Sequence, residues 1–304
     1  MKVGNVNDIE IRAIRDPLEA SKVEVVQQET WGIPEVEVIP ARLLHALQFT
    51  GSCLLGAYDG STLVGFVLGV LGTVEDLKNR IDQVAAARLQ MYSVTMGVLP
   101  EYQHLGIGFR LKMAQREFAL RIGVRLVTWT YDPLESRNGY FNVRKLGAIS
   151  HKYLLDFHGP MSGMNQGLPS DRFYVEWWVT SNRVQARVDS SRTPLSLKAY
   201  TGGGAPIVNS VSHDISGLSQ PPQSFSKADD RLILIEIPEN FQQIKEADMD
   251  LAFEWRMHLR DAAAHYFNDG YLVTDFIHHR AGEGDDRSFY VLMKSDQGDI
   301  GPRV

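Results

Sequence analysis

The sequence predicts a mixed α/β fold, and three observations lead to this prediction. Segments with alternating apolar residues, which are typical of strands, are interleaved with segments of helical spacing. Asp59 and Gly60 stand between two apolar runs, which is the strongest short-range signal for a β-hairpin. The stretch over 98–119 changes from strand to helical periodicity across Gly106 and Gly108. Together these features indicate a sheet whose strands alternate with helices.

The individual elements follow from local signals in chain order. A strand over 8–16 precedes a helix that begins at Pro17 and ends at Gly32. The next elements are a short helix over 41–51, hairpin strands over 53–72, a strand over 89–99, a helix over 109–123, a strand over 125–133, a helix over 134–147 that is capped by Gly147, and strands over 148–157 and 171–179. A strand over 231–238, a helix over 249–270 and strands over 271–279 and 287–294 complete the chain.

The composition suggests a division into two domains. Residues 182–229 are rich in Ser, Gly and Pro, which is typical of a linker, so we expect a domain over 1–181 and a small α/β domain over 230–304. This second block has the order strand, helix, strand, strand, as residues 125–179 do, and both end alike, in DRFYV and DRSFYV. Two interpretations stay open: a half-domain repeat and a generic β-α-β-β unit.

Composition also excludes several classes of protein. With 304 residues, 44% hydrophobic residues and a formal charge of -6, the chain can bury a core but has no basic stripe for nucleic acid. Residues 1–17 contain no apolar h-region of the kind found in signal peptides, and no window has the ~20 apolar residues of a membrane helix. We therefore expect a cytoplasmic protein that binds neither nucleic acid nor membrane. Cys53 is the only cysteine, so no internal disulfide and no cysteine-based metal site can form, and we expect no metal.

The two glycines of the 98–119 stretch indicate an anion site. The helix that follows them would place Leu111, Ala114, Phe118 and Ile122 on one face, so Gly106 and Gly108 lie at its N-terminus. Free amides and the positive end of the helix dipole meet there, and glycine lets a bulky anion approach the main chain. A P-loop would require Gly-Lys-Ser/Thr, and a dinucleotide fingerprint would require a third glycine where Leu111 stands. The pattern thus predicts a loop that binds phosphate or pyrophosphate.

The segment PEYQHLGIG over 100–108 resembles the pyrophosphate loop of the GNAT superfamily of N-acetyltransferases. The family pattern Gln/Arg-x-x-Gly-x-Gly/Ala is matched by Gln103, Gly106 and Gly108. The order of elements over about 9–179 is also similar, and SRNGYFNVRKLGA over 136–148 is similar to the family's late helix. Within the superfamily, the chain resembles a bacterial branch of acetyltransferases with an extra C-terminal region. The resemblance implies a GNAT-like mixed central sheet flanked by helices, plus a small C-terminal β-α-β-β unit.

The resemblance also implies where acetyl-CoA, the acyl donor, would bind. Its pyrophosphate would lie on the amides of the loop, and its pantetheine arm would add hydrogen bonds to the main chain near Met96 and Val98, where that strand and the strand over 125–133 splay apart. An amide near Val98 is the donor expected for the oxyanion. Asn138 could polarise a main-chain group near the cofactor or bond within its own helix. The loop residues implied in binding are Gln103, His104, Leu105, Gly106, Ile107 and Gly108.

The side chains expected for catalysis are less clear. Many GNAT proteins carry a tyrosine as general acid four residues before the glycine that ends the late helix, and here Val143 stands at that position. Tyr140 lies one helical turn earlier and is the candidate acid, although it could equally be a packing residue. Asp132, at the end of a strand, is a candidate general base, but Asp before Pro is also an ordinary turn former.

These observations predict an acetyl-CoA-dependent N-acyltransferase that acetylates an amine of a small molecule or a protein. A first alternative is a module that binds acyl-CoA but has lost transfer chemistry, which the valine at position 143 favours. A second is a purely structural or interaction protein, in which the glycine loop would be idle. A homodimer is one expected arrangement, with the C-terminal unit adding strands at the interface.

Overall fold

The computed structural model describes residues 8–73, 89–160, 167–280 and 286–295. The chain forms two compact units. Residues up to Trp129 belong to the first unit, and residues from Thr130 onward make up most of the second.

Among the described residues, the first unit contains strands β1 to β5 and helices α1 to α3. Their bounds are β1 Glu10–Ala13, α1 Pro17–Trp31, α2 Ala41–Phe49, β2 Cys53–Asp59, β3 Thr62–Thr73, β4 Leu89–Val98, α3 Ile107–Arg121 and β5 Leu126–Tyr131. Local signals set these bounds: the Asp16 carboxylate accepts a hydrogen bond from Leu18 N (2.7 Å) at the start of α1, and Gly32 ends the helix in the left-handed conformation.

The sheet of the first unit has the order β1-β2-β3-β4-β5. Strands β1 to β4 pair antiparallel, with the predicted hairpin between β2 and β3, whereas β4 pairs parallel with β5. A parallel pair requires a crossover connection, and α3 supplies it. Helix α1 packs against β3 and β4, and α3 packs against β2, β3 and β4. The start of α3 therefore follows closely on the end of β4.

The second unit is built around an antiparallel sheet. Its described elements are α4 Ser136–Gly139, a π-helical stretch over Tyr140–Lys145, β6 Ile149–Leu154, β7 Arg172–Trp178, α5 Asn182–Val188, α6 Leu197–Gly202, β8 Ser212–His213, β9 Ser219–Gln220, β10 Leu232–Ile237, α7 Phe241–Ala247, α8 Met249–Asn268, β11 Tyr271–His279 and β12 Arg287–Lys294. The sheet order is β7-β6-β11-β12-β10, and β8 and β9 form a separate pair. Helix α8 packs on β6 and β11.

Residues on both sides of the predicted linker share the core of this unit. Strand β6 pairs with β11, with Ser150 opposite Val273. Gly139 lies so close to the Phe276 ring that a Cβ built on it would come within 2.5 Å of that ring. The hydroxyl of Tyr290 donates to the carbonyl of Pro133 at 2.8 Å. Residues 130–160 are therefore packed against residues that follow position 230.

The segment 182–229, which its composition marks as a linker, carries α5 and α6. Leu197, Tyr200 and Ala205 are buried in one apolar cluster with Leu234 and Phe289. A few apolar residues at the right spacing are enough for this packing, and an average composition does not reveal them. The division into 1–181, 182–229 and 230–304 stays a prediction, as does the half-domain repeat.

The prediction of a mixed α/β fold, with a central sheet flanked by helices, is confirmed by the observed elements and pairings. The order that the resemblance implied over 9–179 is also the order found. The C-terminal block follows the predicted β-α-β-β order, with two helices, α7 and α8, where the sequence predicted one.

Candidate functional site

The glycine loop joins the end of β4 to the start of α3. It contains a 3-10 turn over Pro100–Tyr102, followed by residues 103–106, and α3 begins at Ile107. His104 and Gly106 both adopt left-handed backbone, with φ of 64° and 80°. Left-handed residues turn the main chain sharply, and outside glycine they are uncommon and strained. The loop thus carries the chain directly from strand into helix.

The first amides of α3 precede the hydrogen bonds of the helix. Its first hydrogen bond runs from Arg110 N to Gly106 O (3.1 Å), so the amides of Ile107, Gly108 and Phe109 come before it. Among the described residues, no side chain caps this end of the helix. These donors and the positive end of the helix dipole form the kind of site that binds phosphate.

Glycine stands at positions 106 and 108 of the loop for different reasons. Gly106 needs its left-handed φ of 80°, which an L side chain would strain. Gly108 is an ordinary helical residue, and among the described residues a Cβ built on it would come closest to the Met96 Cε, at 3.5 Å. That is a normal van der Waals distance, so the fold does not require glycine at position 108. A ligand lying against the main chain would require a residue no larger than alanine there.

Side chains of the loop form hydrogen bonds with the neighbouring strands β2 and β4. The Gln103 Nε2 donates to Val98 O (3.1 Å), and the Tyr102 hydroxyl donates to the Asp59 carboxylate (2.9 Å). The Gln103 side chain therefore stabilises the loop. The predicted role of Gln103 in cofactor binding would then fall to its main-chain amide. His104 is exposed, and Leu105 is half-buried.

Strands β4 and β5 form a fork. Their parallel pairing joins Gln90–Tyr92 to Leu126–Thr128, and in the described part of the first unit the register ends there. The pairing of β4 with β3 continues to Val98. From Ser93 onward, the edge of β4 that faces away from β3 therefore carries main-chain groups that this ladder does not use. This edge includes the predicted pantetheine contacts at Met96 and Val98.

A β-bulge interrupts β4 just beyond the fork. Leu68 lies opposite Thr95 and Gly69 lies opposite Ser93, so Val94 is an extra residue on β4. Bulges leave one residue outside the ladder and re-aim the main chain. The amide expected to stabilise an oxyanion was predicted near Val98, and the bulge makes Val94 a second candidate.

Sequence reasoning missed a buried lysine at the base of this fork. The buried face of α3 is formed by Ile107, Leu111, Lys112, Gln115 and Ala119. Of the residues predicted to share one helical face, Leu111 is buried, Ala114 and Phe118 are half-buried, and Ile122, which follows the last residue of α3, is 37% exposed. An apolar-only pattern cannot identify a face that contains Lys and Gln. Leu111, Gln115 and Ala119 are spaced four residues apart, and this helical spacing was the signal in the sequence that could have identified the buried face.

Lys112 is held by polar and aromatic partners. Its Nζ donates to Ser93 Oγ and to Gln115 Oε1, each at 2.9 Å, and lies 3.8 Å from the centroid of the Trp129 ring. Burial lowers the pKa of Lys112 to about 7, and Cys53 acts weakly in the opposite direction. Burial raises the pKa of the Cys53 thiol to about 12, so that group is neutral near pH 7.

In the second unit, Asp132 lies in a buried ion pair. Its carboxylate accepts hydrogen bonds from Arg256 Nη1 (2.9 Å), Arg256 Nη2 (2.5 Å) and Leu134 N (3.0 Å), and Arg172 Nη1 lies 3.8 Å away. Burial alone would raise the pKa of Asp132, but the charge and hydrogen bonds of Arg256 outweigh burial and hold this pKa below its usual value. The geometry favours a structural role, and the predicted role as general base stays a prediction.

The late helix differs from the predicted α-helix around Tyr140. From Tyr140 to Lys145 it is π-helical, as shown by the bond from Leu146 N to Phe141 O (3.0 Å). Tyr140 is 38% exposed, whereas Val143 is completely buried. The interpretation that the two share a face is therefore wrong, because a π-helix spaces residues differently around its axis. Asn138 is exposed. The catalytic role of Tyr140 stays a prediction.

No group of three or more His, Cys, Asp and Glu side chains in the described ranges is arranged to hold a metal ion. None of the helices that the structure describes is both long enough and apolar enough to cross a membrane.

The fold is similar to solved structures of GNAT acetyltransferases. Arabidopsis thaliana NAA60 with a bisubstrate analogue is 17% identical, with 56% of this chain and 97% of that chain covered and a TM-score of 0.44. The ribosomal-protein-S18-alanine N-acetyltransferase from Escherichia coli is 12% identical, with coverages of 56% and 94% and a TM-score of 0.43. A GNAT acetyltransferase from Brucella melitensis in complex with acetyl-CoA is 18% identical, with coverages of 41% and 76% and a TM-score of 0.32.

Comparison with protein-family models gives no match, and comparison with curated protein sequences gives none either. The assignment of a binding site in this chain therefore depends on its own geometry: the glycine loop, the fork and the bulge.

Proposed function

We propose that this protein is an acetyl-CoA-dependent N-acyltransferase that acetylates an amine. The observation that carries the proposal is Gly108. It stands at the start of α3 beside amides that precede the first hydrogen bond of the helix, and it has ordinary helical backbone. Among the described residues of the first unit, a Cβ at this position would meet no atom closer than Met96 Cε at 3.5 Å. An anion that lies against the main chain explains the glycine, and the pyrophosphate of coenzyme A is such an anion.

The fork supports the same proposal. A pantetheine arm carries two amide groups, and the free edge of β4 beyond Tyr92 offers main-chain partners of the kind that β-addition uses. The edge runs toward the glycine loop, since β4 ends at Val98 and the loop follows at once. An elongated thioester with a pyrophosphate at one end matches this arrangement in the first unit.

The chemistry would be direct attack of an amine on the thioester carbonyl. It requires a neutral amine, a donor for the developing oxyanion and a proton for the departing thiolate. The main-chain amides of Val94 and Val98 are candidate oxyanion donors, and Tyr140 is the candidate acid. The acceptor is an amine of a small molecule or a protein, and we expect the reaction to need no metal.

One observation favours the second candidate function, a module that binds acyl-CoA without transfer. Val143, at the position where the resemblance expects a tyrosine, is apolar and fully buried. It can neither donate a proton nor be replaced in that space by a polar neighbour without repacking the core.

Native mass spectrometry separates these candidates. The protein is mixed first with a panel of acyl-CoA thioesters and then with a panel of amines, so that ligand retention and product formation are read separately. Retention with acetylated product supports the transferase, and retention without product for any amine supports the binding module. Absence of retention would contradict both.

Replacement of Tyr140 by phenylalanine tests the candidate acid. We expect kcat to fall by about 10²-fold or more while the affinity for acetyl-CoA is unchanged, because only proton donation to the thiolate is lost. Tyr174, which is half-buried on β7, provides a matched Tyr→Phe control. Equal kcat in wild type and the Tyr140→Phe variant would assign thiolate protonation to solvent.

A further inference from the structure

Lys112 connects the two arms of the fork at the point where they separate. Ser93 is the first residue of β4 beyond the paired Tyr92, and Trp129 is the first residue of β5 beyond the paired Thr128. The Lys112 Nζ touches both, with 2.9 Å to Ser93 Oγ and 3.8 Å to the Trp129 ring centroid. An ammonium buried at 3% exposure is costly in a protein core, so its presence at this point calls for a reason.

We propose that Ser93 and Lys112 together form the general base of the transfer reaction, with Ser93 passing the proton of the acceptor amine to Lys112. The proposal rests on the proposed function, because it places the thioester along the edge of β4 that begins at Ser93. It gives the base role to a pair in the first unit, whereas Asp132 is engaged by Arg256.

The proton and bond changes balance as follows. A free amine attacks the thioester carbonyl, and a C–N bond forms, which gives an oxyanion and a positively charged nitrogen. A proton of that nitrogen moves to Ser93 Oγ as the hydroxyl proton of Ser93 moves to neutral Lys112 Nζ. The C–S bond then breaks, and its electron pair leaves with the thiolate, which takes a proton from the general acid, Tyr140 or water. Lys112 returns its proton to solvent through Ser93 after the product leaves.

The surroundings of Lys112 suit a group that changes charge near neutrality. Burial favours the neutral amine, the face of Trp129 favours the cation, and the Ser93 hydroxyl and the Gln115 amide oxygen can bond to either form. Cys53 on β2 is the titratable group that acts on this lysine, and its thiol is neutral near pH 7. On α3 itself, Arg121 acts on Cys53.

A purely structural role makes a different prediction. If Lys112 only holds the two strands together as a cation, the Lys112→Arg variant should keep its activity, because a guanidinium also donates hydrogen bonds and stacks on Trp. A general base must lose its proton, which arginine does not do in proteins. The Lys112→Arg variant therefore separates proton transfer from support.

The experiment measures release of coenzyme A from acetyl-CoA with hydroxylamine as a small acceptor, over pH 5.5 to 9. The variants are Lys112→Arg, Lys112→Met and Ser93→Ala, with Glu117→Gln on the exposed face of α3 as control. We expect kcat of the wild type to rise with pH through an apparent pKa near neutrality. All three variants should lose about 10²- to 10⁴-fold in kcat and lose this rise, with acetyl-CoA affinity within threefold of wild type.

A second readout does not depend on activity. In protein labelled with 13C at the lysine Cε, the Lys112 signal, assigned by its loss in Lys112→Arg, should titrate far below the ordinary value of about 10.4. Titration near that value overturns the base even if the enzyme is active. Activity and pH profile retained in Lys112→Arg overturn it as well, and they leave the proposed transferase standing. If the wild type neither binds acetyl-CoA nor releases coenzyme A, the proposed function fails and the base fails with it. Should the lysine variants not fold, the Ser93→Ala result decides.

Discussion

Replacement of Gly108 by valine should weaken acetyl-CoA binding by well over tenfold, more than ~1.4 kcal/mol, without unfolding the protein. We expect the fold to tolerate a side chain at this position, because in the described part of the chain a Cβ there comes no closer to another atom than 3.5 Å, from Met96 Cε, and the backbone is helical. Glycine is also a poorer helix former than valine, so the stability of α3 should not fall. A valine side chain would occupy the space of the pyrophosphate. Calorimetric titration and thermal unfolding measure the two effects separately.

The matched control is Gly108→Ala, since the family pattern that the loop resembles allows alanine at this position, and its affinity should stay close to wild type. A second control uses S-acetylpantetheine, which lacks the pyrophosphate. Valine at position 108 should change its binding little. Equal affinity of wild type and Gly108→Val for acetyl-CoA, in protein with a normal melting curve, would remove the glycine loop from the binding site.

The glycine loop could be predicted because its causes are local. A change from strand to helical periodicity, a glycine that needs a left-handed φ and amides at a helix start are all contained in residues 98–110. The same is true of the hairpin at Asp59–Gly60 and of the helix end at Gly32. Each is set by neighbours in the chain, and the sequence states them directly.

The surroundings of Asp132 could not be predicted, because they come from far along the chain. Asp132 and Arg256 are 124 residues apart, and one sequence carries no signal of such a pair. As a result, the sequence offered Asp132 as a base, whereas the fold surrounds it with guanidinium groups. Lys112 was missed for a different reason. The buried face of a helix is usually recognised by its apolar residues, and the buried face of α3 contains the polar residues Lys112 and Gln115.

Composition alone does not show the helices within residues 182–229. Helices α5 and α6 lie there, and Arg187 of α5 donates to Arg144 O (2.7 Å) and to the Asp275 carboxylate (3.1 Å). Ser, Gly and Pro raise the probability of irregular structure, but serine is also a good residue for capping the start of a helix. Ser181 caps α5 by accepting a hydrogen bond from Val184 N, and Ser196 caps α6 by accepting one from Ala199 N.

The likeness between the two DRFYV-type segments has a counterpart in charge. Arg172 of the first segment lies 3.8 Å from Asp132, which follows β5, and Arg287 of the second donates twice to Glu236 of β10, at 2.6 and 2.7 Å. In both cases an arginine at the start of a late strand meets a carboxylate at the end of an earlier one. The half-domain repeat stays a prediction, and the two sites differ in that Arg256 provides the close contacts at Asp132.

Replacement of Arg256 by leucine should lower the free energy of unfolding by about 3–5 kcal/mol at pH 7, the range expected when one partner of a buried ion pair is removed. Arg256 is 1% exposed and Asp132 is 9% exposed, so the variant would leave a buried carboxylate that has lost two charge-assisted hydrogen bonds, with Arg172 at 3.8 Å. Urea unfolding measures the change. Lys294→Met, which removes a partner of the exposed Asp229, is the control and should have little effect.

The pH dependence identifies the cause. In wild type the pKa of Asp132 is held below its unfolded value, so the pair stabilises the protein above about pH 4, and this contribution is lost as pH falls through the folded pKa. Without Arg256, burial dominates and raises that pKa above the unfolded value, so the variant binds a proton on folding and becomes more stable as pH falls. The deficit of Arg256→Leu should therefore be smaller at pH 5 than at pH 7. The double variant Arg256→Leu/Asp132→Asn, in which no charge is left unpaired, should recover part of the stability at pH 7. A deficit independent of pH, with no recovery in the double variant, would assign the loss to the packing of the Arg256 side chain against its neighbours.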